Sequence, residues 1–431
     1  MNIALLFGVF FLLVMLSVPI GVSLGVATSL TLVFTSTIDP VLVAQKAFTG
    51  LDSFTLLAIP FFMLAGNLMA LGGIARRIVN MCDALVGRFT GGLAMATVVG
   101  CMFFAAISGS GPATVTAMGS IMIPEMVKRK YDKGFATGLT ATAGTIGVII
   151  PPSIPFVIYG VASGTSVGDL FIAGFVPGIL IGVVLMAVSY VISRKRGYKG
   201  VAPVENENRP GLGKTFLDSI WALMAPVIIL GGIYMGIFTP TEAAVVAIVY
   251  SLVVGVFVYK ELTWGIWMAS LRATADLNGL TGLALGFSMA FASYLAIEQI
   301  PTRVATALLN TISADWLLIL MVIVILLIVG LFVDNISSCL ILTPVLLPVA
   351  VGCGMSPVHF GIMMTTALAI GFVTPPYGVN LFVAASVANM KIENIAKAAI
   401  PFILAMLACL LAIAYIEPIS MGLVRLVKGF G

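Results

Sequence analysis

Two short polar runs interrupt apolar stretches of this 431-residue chain. Ser108-Gly109-Ser110-Gly111-Pro112 lies within 93–127, and Asp334-Asn335-Ile336-Ser337-Ser338 lies within 316–351. Two further apolar stretches, 135–160 and 357–383, are broken at Gly147–Pro152 and Gly371–Pro376. The prolines there lack an N–H and clash with the preceding turn, so backbone carbonyls are released. Hydroxyls, freed carbonyls and the Asp334 carboxylate make an all-oxygen donor set suited to a hard cation, and no His or thiolate cluster offers a transition-metal site. The tips would also expose helix N-termini, whose N–H groups and dipole favour a substrate carboxylate. The alternative, two packing kinks, is countered by their occurring in register with two polar tips. Asp334 is the one acid placed deep between apolar runs. An acid at the bilayer centre costs roughly 2.5–3.5 kcal/mol, so a partner is expected. A bound sodium ion is that partner in this reading; a structural hydrogen bond to a neighbouring helix is the alternative.

The elements that must hold these residues follow from composition. The chain is 61% apolar and 9% charged, with a mean hydropathy of +1.18. Soluble domains carry about 25% charged residues, so a cytosolic enzyme, a nucleic-acid binder and a disordered scaffold are excluded. The expected fold class is an all-α polytopic membrane protein. The net charge of +4 arises from short clusters between apolar runs. The five cysteines are scattered and read as small hydrophobes, with no disulfide framework. Met1-Asn2-Ile3 lacks a basic region and reads as the start of a span, not a cleaved signal peptide.

A crossing helix needs about 20 mostly apolar residues. Two short spans divided by Pro19 fill 3–36, and others are expected at 54–71, 135–160, 168–193, 219–237, 241–258, 278–297, 357–383 and 396–416. The stretches 93–127 and 316–351 read as re-entrant hairpins, because irregular backbone at membrane depth survives only under cover of protein or a water-filled cavity. With the N-terminus outside, 17 of the 21 Lys and Arg fall on the inner side, the expected bias. Ile74, Ile78, Cys82, Leu85 and Phe89 share a helical face, suggesting a helix in the membrane interface, with 303–311 in the equivalent place later on.

The chain also repeats. At a constant offset of 224, Thr142-Ala143, Ile146-Gly147 and Pro151-Pro152 match Thr366-Ala367, Ile370-Gly371 and Pro375-Pro376, and Ser110 pairs with Asp334. The organisation expected is a first repeat over 1–193, a cytoplasmic linker over 194–218 and a second repeat over 219–431. Each half holds an odd number of crossings, so the halves are inverted. Inverted repeats with a broken helix in each are the build of secondary transporters, with the site near the midplane.

Several other motifs are set aside. Gly213-Lys214-Thr215 resembles the end of a phosphate-binding loop, but Asn208 stands where its first glycine belongs and no strand precedes it. An intramembrane protease remains a distant alternative, since Ser110 has only His359 as a possible base, near the outer end of its span. His359 reads as a polar anchor. Thr239-Pro240-Thr241-Glu242 reads as a capping box opening a span.

The residues resemble the large membrane subunit of tripartite ATP-independent periplasmic (TRAP) transporters along essentially the whole chain. The resemblance rests on Pro60-Phe61-Phe62-Met63-Leu64-Ala65-Gly66, Ile107-Ser108-Gly109-Ser110 and Ile150-Pro151-Pro152-Ser153-Ile154-Pro155. It rests also on Gly231-Gly232-Ile233, Phe238-Thr239-Pro240-Thr241-Glu242-Ala243-Ala244 and Thr374-Pro375-Pro376. It implies sodium-coupled import of an organic acid across the bacterial inner membrane by an elevator-like fold, with the N-terminus periplasmic. Its partners would be a small four-helix membrane subunit, a periplasmic substrate-binding protein and membrane lipid, with no nucleic acid and no cofactor beyond the coupling sodium ions. One sodium site would use Ser108, Gly109 and Ser110 with carbonyls around Gly147, Ile150 and Pro152. The other would use Asp334 and Thr374 with carbonyls around Gly330, Gly371 and Tyr377. Ser153 would contact substrate. The family's cargoes include sialic acid, which overall likeness favours, and C4-dicarboxylates. A stand-alone sodium–dicarboxylate symporter is the alternative transporter.

Overall fold

Pro19 and Ser17, which is left-handed at φ 62°, divide the first apolar run into α1 (Asn2–Met15) and α2 (Ile20–Thr35). The computed structural model describes residues 2–35, 38–198, 212–312, 314–375 and 378–429, and every regular element among them is helical. Residues 199–211 of the expected linker lie outside the described residues, as do Pro376 and Tyr377. The short α3 (Val41–Leu51) precedes a 3-10 turn over Phe54–Leu57, α4 (Ala58–Leu71) and α5 (Ile74–Val86). Next come α6 (Gly92–Ser108) and α7 (Gly111–Lys128), joined only by Gly109 and Ser110 and packed together. The stretch expected over 135–160 is broken: α8 (Lys133–Ala143), a 3-10 turn over Gly144–Val148, and α9 (Ile154–Ser163). The long α10 (Val167–Arg196), α11 (Leu212–Tyr234) and α12 (Pro240–Val253) follow, the last running into a π turn over Val254–Val258. The capping box that opens α12 is formed: Thr239 N–H donates to Glu242 Oε2 at 2.8 Å, and Glu242 N–H to Thr239 Oγ1 at 3.3 Å.

The later chain comprises α13 (Trp264–Ile297), α14 (Ile300–Thr311), α15 (Asp315–Phe332) and α16 (Asn335–Gly352). It ends with α17 (Pro357–Gly371), α18 (Val379–Ala388), α19 (Ile392–Tyr415) and α20 (Pro418–Lys428). Among the described residues, eight helical stretches are long and apolar enough to cross a membrane. Both α15 and α16 are among them, so their length by itself does not separate hairpin arms from crossings. Only Val333 and Asp334 join them. The 34-residue α13 begins well before the expected 278, because Arg272 and Asp276 end an apolar window without ending a helix.

Two apolar cores organise the helices. The larger one unites α4–α12 with α15–α19, and the smaller packs Leu6, Phe10, Leu24 and Val43 of α1–α3 against Phe291, Tyr294 and Leu295 of α13. Lipid is as apolar as leucine, so such contacts depend on close packing of small residues. A Cβ on Gly21 would stand 2.7 Å from the Ala284 Cα of α13, which measures how near α2 approaches. The stripe on α5 is covered by protein, not only by lipid: Ile74, Ile78 and Cys82 are buried while Leu85 and Phe89 are exposed, and α6 and α11 supply the cover.

The polar face of α5 carries a charge network. Arg77 pairs with Glu261 at 2.9 Å and Asp218 at 3.5 Å and lies 3.6 Å over the Tyr259 ring. Arg76 also pairs with Glu261. Farther along, Asp83 takes Arg129 at 3.2 Å, and Arg129 also reaches Glu125 at 2.9 Å. Burial works against the Arg129 charge, but its hydrogen bonds and charge contacts with these two carboxylates prevail and raise its pKa. Arg77→Ala would remove two ion pairs and the stacking on Tyr259 but leave Glu261 with Arg76 and Asp218 in solvent, so it should cost about 1–2 kcal/mol. Thermal unfolding of purified protein in detergent checks this, and the exposed Lys214→Ala should move stability by less than about 0.5 kcal/mol.

Candidate functional site

The first tip is built by two opposed helix ends. α6 stops at Ser108 because Gly109 turns left-handed at φ 61°, and α7 restarts with Ser110 as its N-cap. Ser108 is buried, with Oγ 3.0 Å from Thr114 Oγ1. The Thr114 hydroxyl and N–H both reach the Ser110 carbonyl, at 2.8 and 3.1 Å. The broken segment lies directly against this tip. Ile154 N–H donates to the Gly109 carbonyl at 3.2 Å, and a Cβ on Gly109 would stand 2.8 Å from the Pro152 oxygen. A Cβ on Gly147 would meet Thr114 Oγ1 at 2.5 Å and the Ser110 oxygen at 2.6 Å.

Thus Ser108, Gly109, Ser110, Gly147 and Pro152 come together. The Ile150 side chain instead packs against Gly178 of α10, while its N–H donates to the Ile146 carbonyl at 2.9 Å. Ser153 is fully buried and caps α9: its hydroxyl donates to the Val148 carbonyl at 2.7 Å and accepts Phe156 N–H at 3.4 Å. Both hydrogen bonds are local.

The second group is arranged differently. Gly330 of α15 and Gly371 at the end of α17 meet backbone to backbone, and a Cβ on Gly330 would lie 3.2 Å from the Leu368 oxygen. Asp334 is half-buried and caps α16, its Oδ2 accepting Ser337 N–H at 3.0 Å. Thr374 bonds within its own turn, donating from Oγ1 to the Ile370 carbonyl at 2.8 Å and from N–H to Gly371 at 3.1 Å. Tyr377 lies outside the described residues. Around this tip, Asn335 Nδ2, Ser338 Oγ and Thr366 Oγ1 are buried with no hydrogen-bond partner among the described residues. His359 anchors α17 to α19 through a 2.8 Å contact between Nε2 and the Ile413 carbonyl.

The sequence reading missed Thr114 and Asn380. Thr114 lies one turn past Ser110, a position from which a threonine hydroxyl reaches back to the i−4 carbonyl. Asn380 is a fully buried polar residue within the apolar α18, and its Nδ2 donates to the Ala141 carbonyl of α8 at 3.2 Å. Elsewhere, Ser53–Thr55, the α9–α10 link and Thr239–Thr241 line a cleft of about 520 Å³.

The family model for the DctM component of tripartite ATP-independent periplasmic transporters matches residues 7–419. The chain belongs to the DctM family. It is 49% identical over 420 residues to the isethionate TRAP transporter permease protein DctMQ of Oleidesulfovibrio alaskensis, covering 96% of this chain but 65% of that protein's length. It is 40% identical to the C4-dicarboxylate TRAP transporter large permease protein DctM of Rhodobacter capsulatus, over 99% of both chains. With the sialic acid TRAP transporter large permease protein SiaM of Vibrio cholerae the identity is 37%, over 96% of both. The Alcanivorax borkumensis YdaH transporter shares the fold at a TM-score of 0.62 and 14% identity, covering 92% of this chain and 91% of that one. As a DctM-family large permease, the protein is a multi-pass transporter component, not an enzyme.

The Gly330–Gly371 contact leaves no room for a methyl group. Gly371→Ala should therefore separate α15 from α17, costing about 1–3 kcal/mol. Thermal unfolding and a transport assay on the same preparation check this, with both readouts expected to fall.

Proposed function

We propose that this permease couples inward sodium flow to import of an organic anion, with the two tips and breaks forming the moving site. The observation that carries the reading is the packing of Ser108-Gly109-Ser110 onto Gly147–Pro152. It gathers hydroxyl and carbonyl oxygens from two interrupted helices in a water-poor core, a donor set that fits a hard monovalent cation. Ser108 and Ser110, with carbonyls around Gly147, Ile150 and Pro152, would hold one sodium ion. Asp334, Thr374 and carbonyls around Gly330 and Gly371 would hold another, with Tyr377 completing it. Asp334 and Thr374 each bond locally, so an ion would compete with those bonds.

The cargo is an organic anion. The names of the relatives span a sulfonate, C4-dicarboxylates and sialic acid. Their order of identity does not favour the sialic acid reading. Unpartnered donors near the second tip suit a carboxylate or sulfonate oxygen, and Ser153 would join them only by giving up its capping bonds. The matching broken segments at an offset of 224 support inverted repeats over 1–193 and 219–431, and the Lys and Arg bias supports a periplasmic N-terminus in the inner membrane. The likeness to TRAP large permeases is what suggests an elevator movement. A small four-helix membrane subunit and a periplasmic binding protein would complete the transporter.

Uptake of labelled organic anions into proteoliposomes tests the reading, with the sodium gradient, the small subunit and the binding protein each varied. Sodium-driven uptake is expected only when all three proteins are present; uptake by this chain alone would make it a stand-alone symporter. Asp334→Asn should reduce the sodium dependence of that uptake at least about tenfold, the scale of one lost charge-assisted ligand. An unchanged sodium response would remove Asp334 from the site.

A further inference from the structure

Asn380 stands where the two halves of the chain meet. It lies in the first turn of α18, is fully buried, and is fastened at two points. Its N–H donates to the Phe372 carbonyl at 3.0 Å, just past the end of α17, and its Nδ2 donates to the Ala141 carbonyl of α8 at 3.2 Å. The second bond fixes the amide's orientation, because a carbonyl only accepts and the nitrogen must face it. The Oδ1 atom is left with no hydrogen-bond partner among the described residues.

This side chain faces the first tip. A Cβ on Gly111 would lie 3.3 Å from both Asn380 Oδ1 and Nδ2, and 3.4 Å from the Gly144 carbonyl oxygen. Gly111 opens the 18-residue α7, and the first N–H groups of a helix have no partner within it. Gly144 opens the 3-10 turn whose far end, Gly147, touches Ser110. An unpartnered acceptor therefore stands beside the first turn of α7, one 3-10 turn from the oxygens of the first tip. Burying such an acceptor unpaired is costly, and a donor brought to it would be held firmly.

We propose that Asn380 is a positioning residue for the first cation site. Its Oδ1 accepts the Gly111 N–H when the tip closes over an ion held by Ser108, Ser110 and the Gly147–Pro152 carbonyls. A residue of the second broken segment thereby sets the sodium affinity of the first. The inference rests on the sodium-coupled reading above.

The test compares wild type with Asn380→Ala, Asn380→Asp and Gly111→Ala in two assays. One is the sodium concentration giving half-maximal uptake in proteoliposomes with both partners; the other is the sodium-dependent rise in thermal midpoint of the purified chain. Asn380→Ala should raise the sodium requirement about tenfold in both, while the cargo KM at saturating sodium changes less than about twofold. Asn380→Asp keeps an acceptor but loses the donor to Ala141, and should return the sodium requirement to within about twofold of wild type. Gly111→Ala puts a methyl 3.3 Å from both amide atoms and disturbs the contact while Asn380 is still present; it should also raise the sodium requirement, so it decides the matter if Asn380→Ala does not fold. Wild-type sodium requirements in the folded alanine variants would overturn the proposal. So would an Asn380→Asp variant as impaired as Asn380→Ala, since the cause would then be the lost Ala141 bond. A wild type insensitive to sodium in both assays would instead remove the coupling reading, and this inference with it.

Discussion

A helix that ends inside an apolar medium leaves carbonyl and N–H groups with no water to receive them. The centre of this chain is arranged around that constraint. The end of α6 and the start of α9 satisfy one another through Gly109 and Ile154, and the starts of α7 and α9 are capped by Ser110 and Ser153. Past the end of α17, the Phe372 carbonyl is taken up by Asn380 N–H. Interruption is tolerated where the described residues of a break lie against protein groups that take up their hydrogen bonds. The same arrangement concentrates oxygen atoms where a water-poor interior makes them strong ligands.

The two tips reach different solutions. The first is knit tightly, with Ser108, Ser110 and Thr114 bonded among themselves and pressed onto the broken segment. The second has a carboxylate at its N-cap and several buried polar atoms without partners among the described residues. Asn380 spans the difference by linking the second broken segment to α8.

At the periphery, α5 shows how one sequence pattern serves two environments. Its apolar face is buried on α6 and α11, while Arg76, Arg77 and Asp83 on its other faces join charges from distant parts of the chain. The periodicity of Ile74, Ile78 and Cys82 showed that one side avoids water. It carried no information about whether lipid or protein covers that side.

The helical membrane class, the break at Gly147–Pro152, the interruption after Gly371, the polar tips and the capping box at Thr239 were legible in the sequence. These are local consequences of hydropathy, missing proline donors and side-chain reach within one turn. It also carried the family likeness, which the match over 7–419 confirms. The tertiary structure decided the rest. It placed Gly147 on Ser110, put Gly330 against Gly371, used Ser153 as a cap and brought Asn380 to Gly111. α3 and α20 escaped the span reading because 11 residues are too few to carry a crossing signal. Contacts between residues far apart in sequence depend on how closely two backbones approach, and that distance is set by packing of whole helices, not by any local pattern.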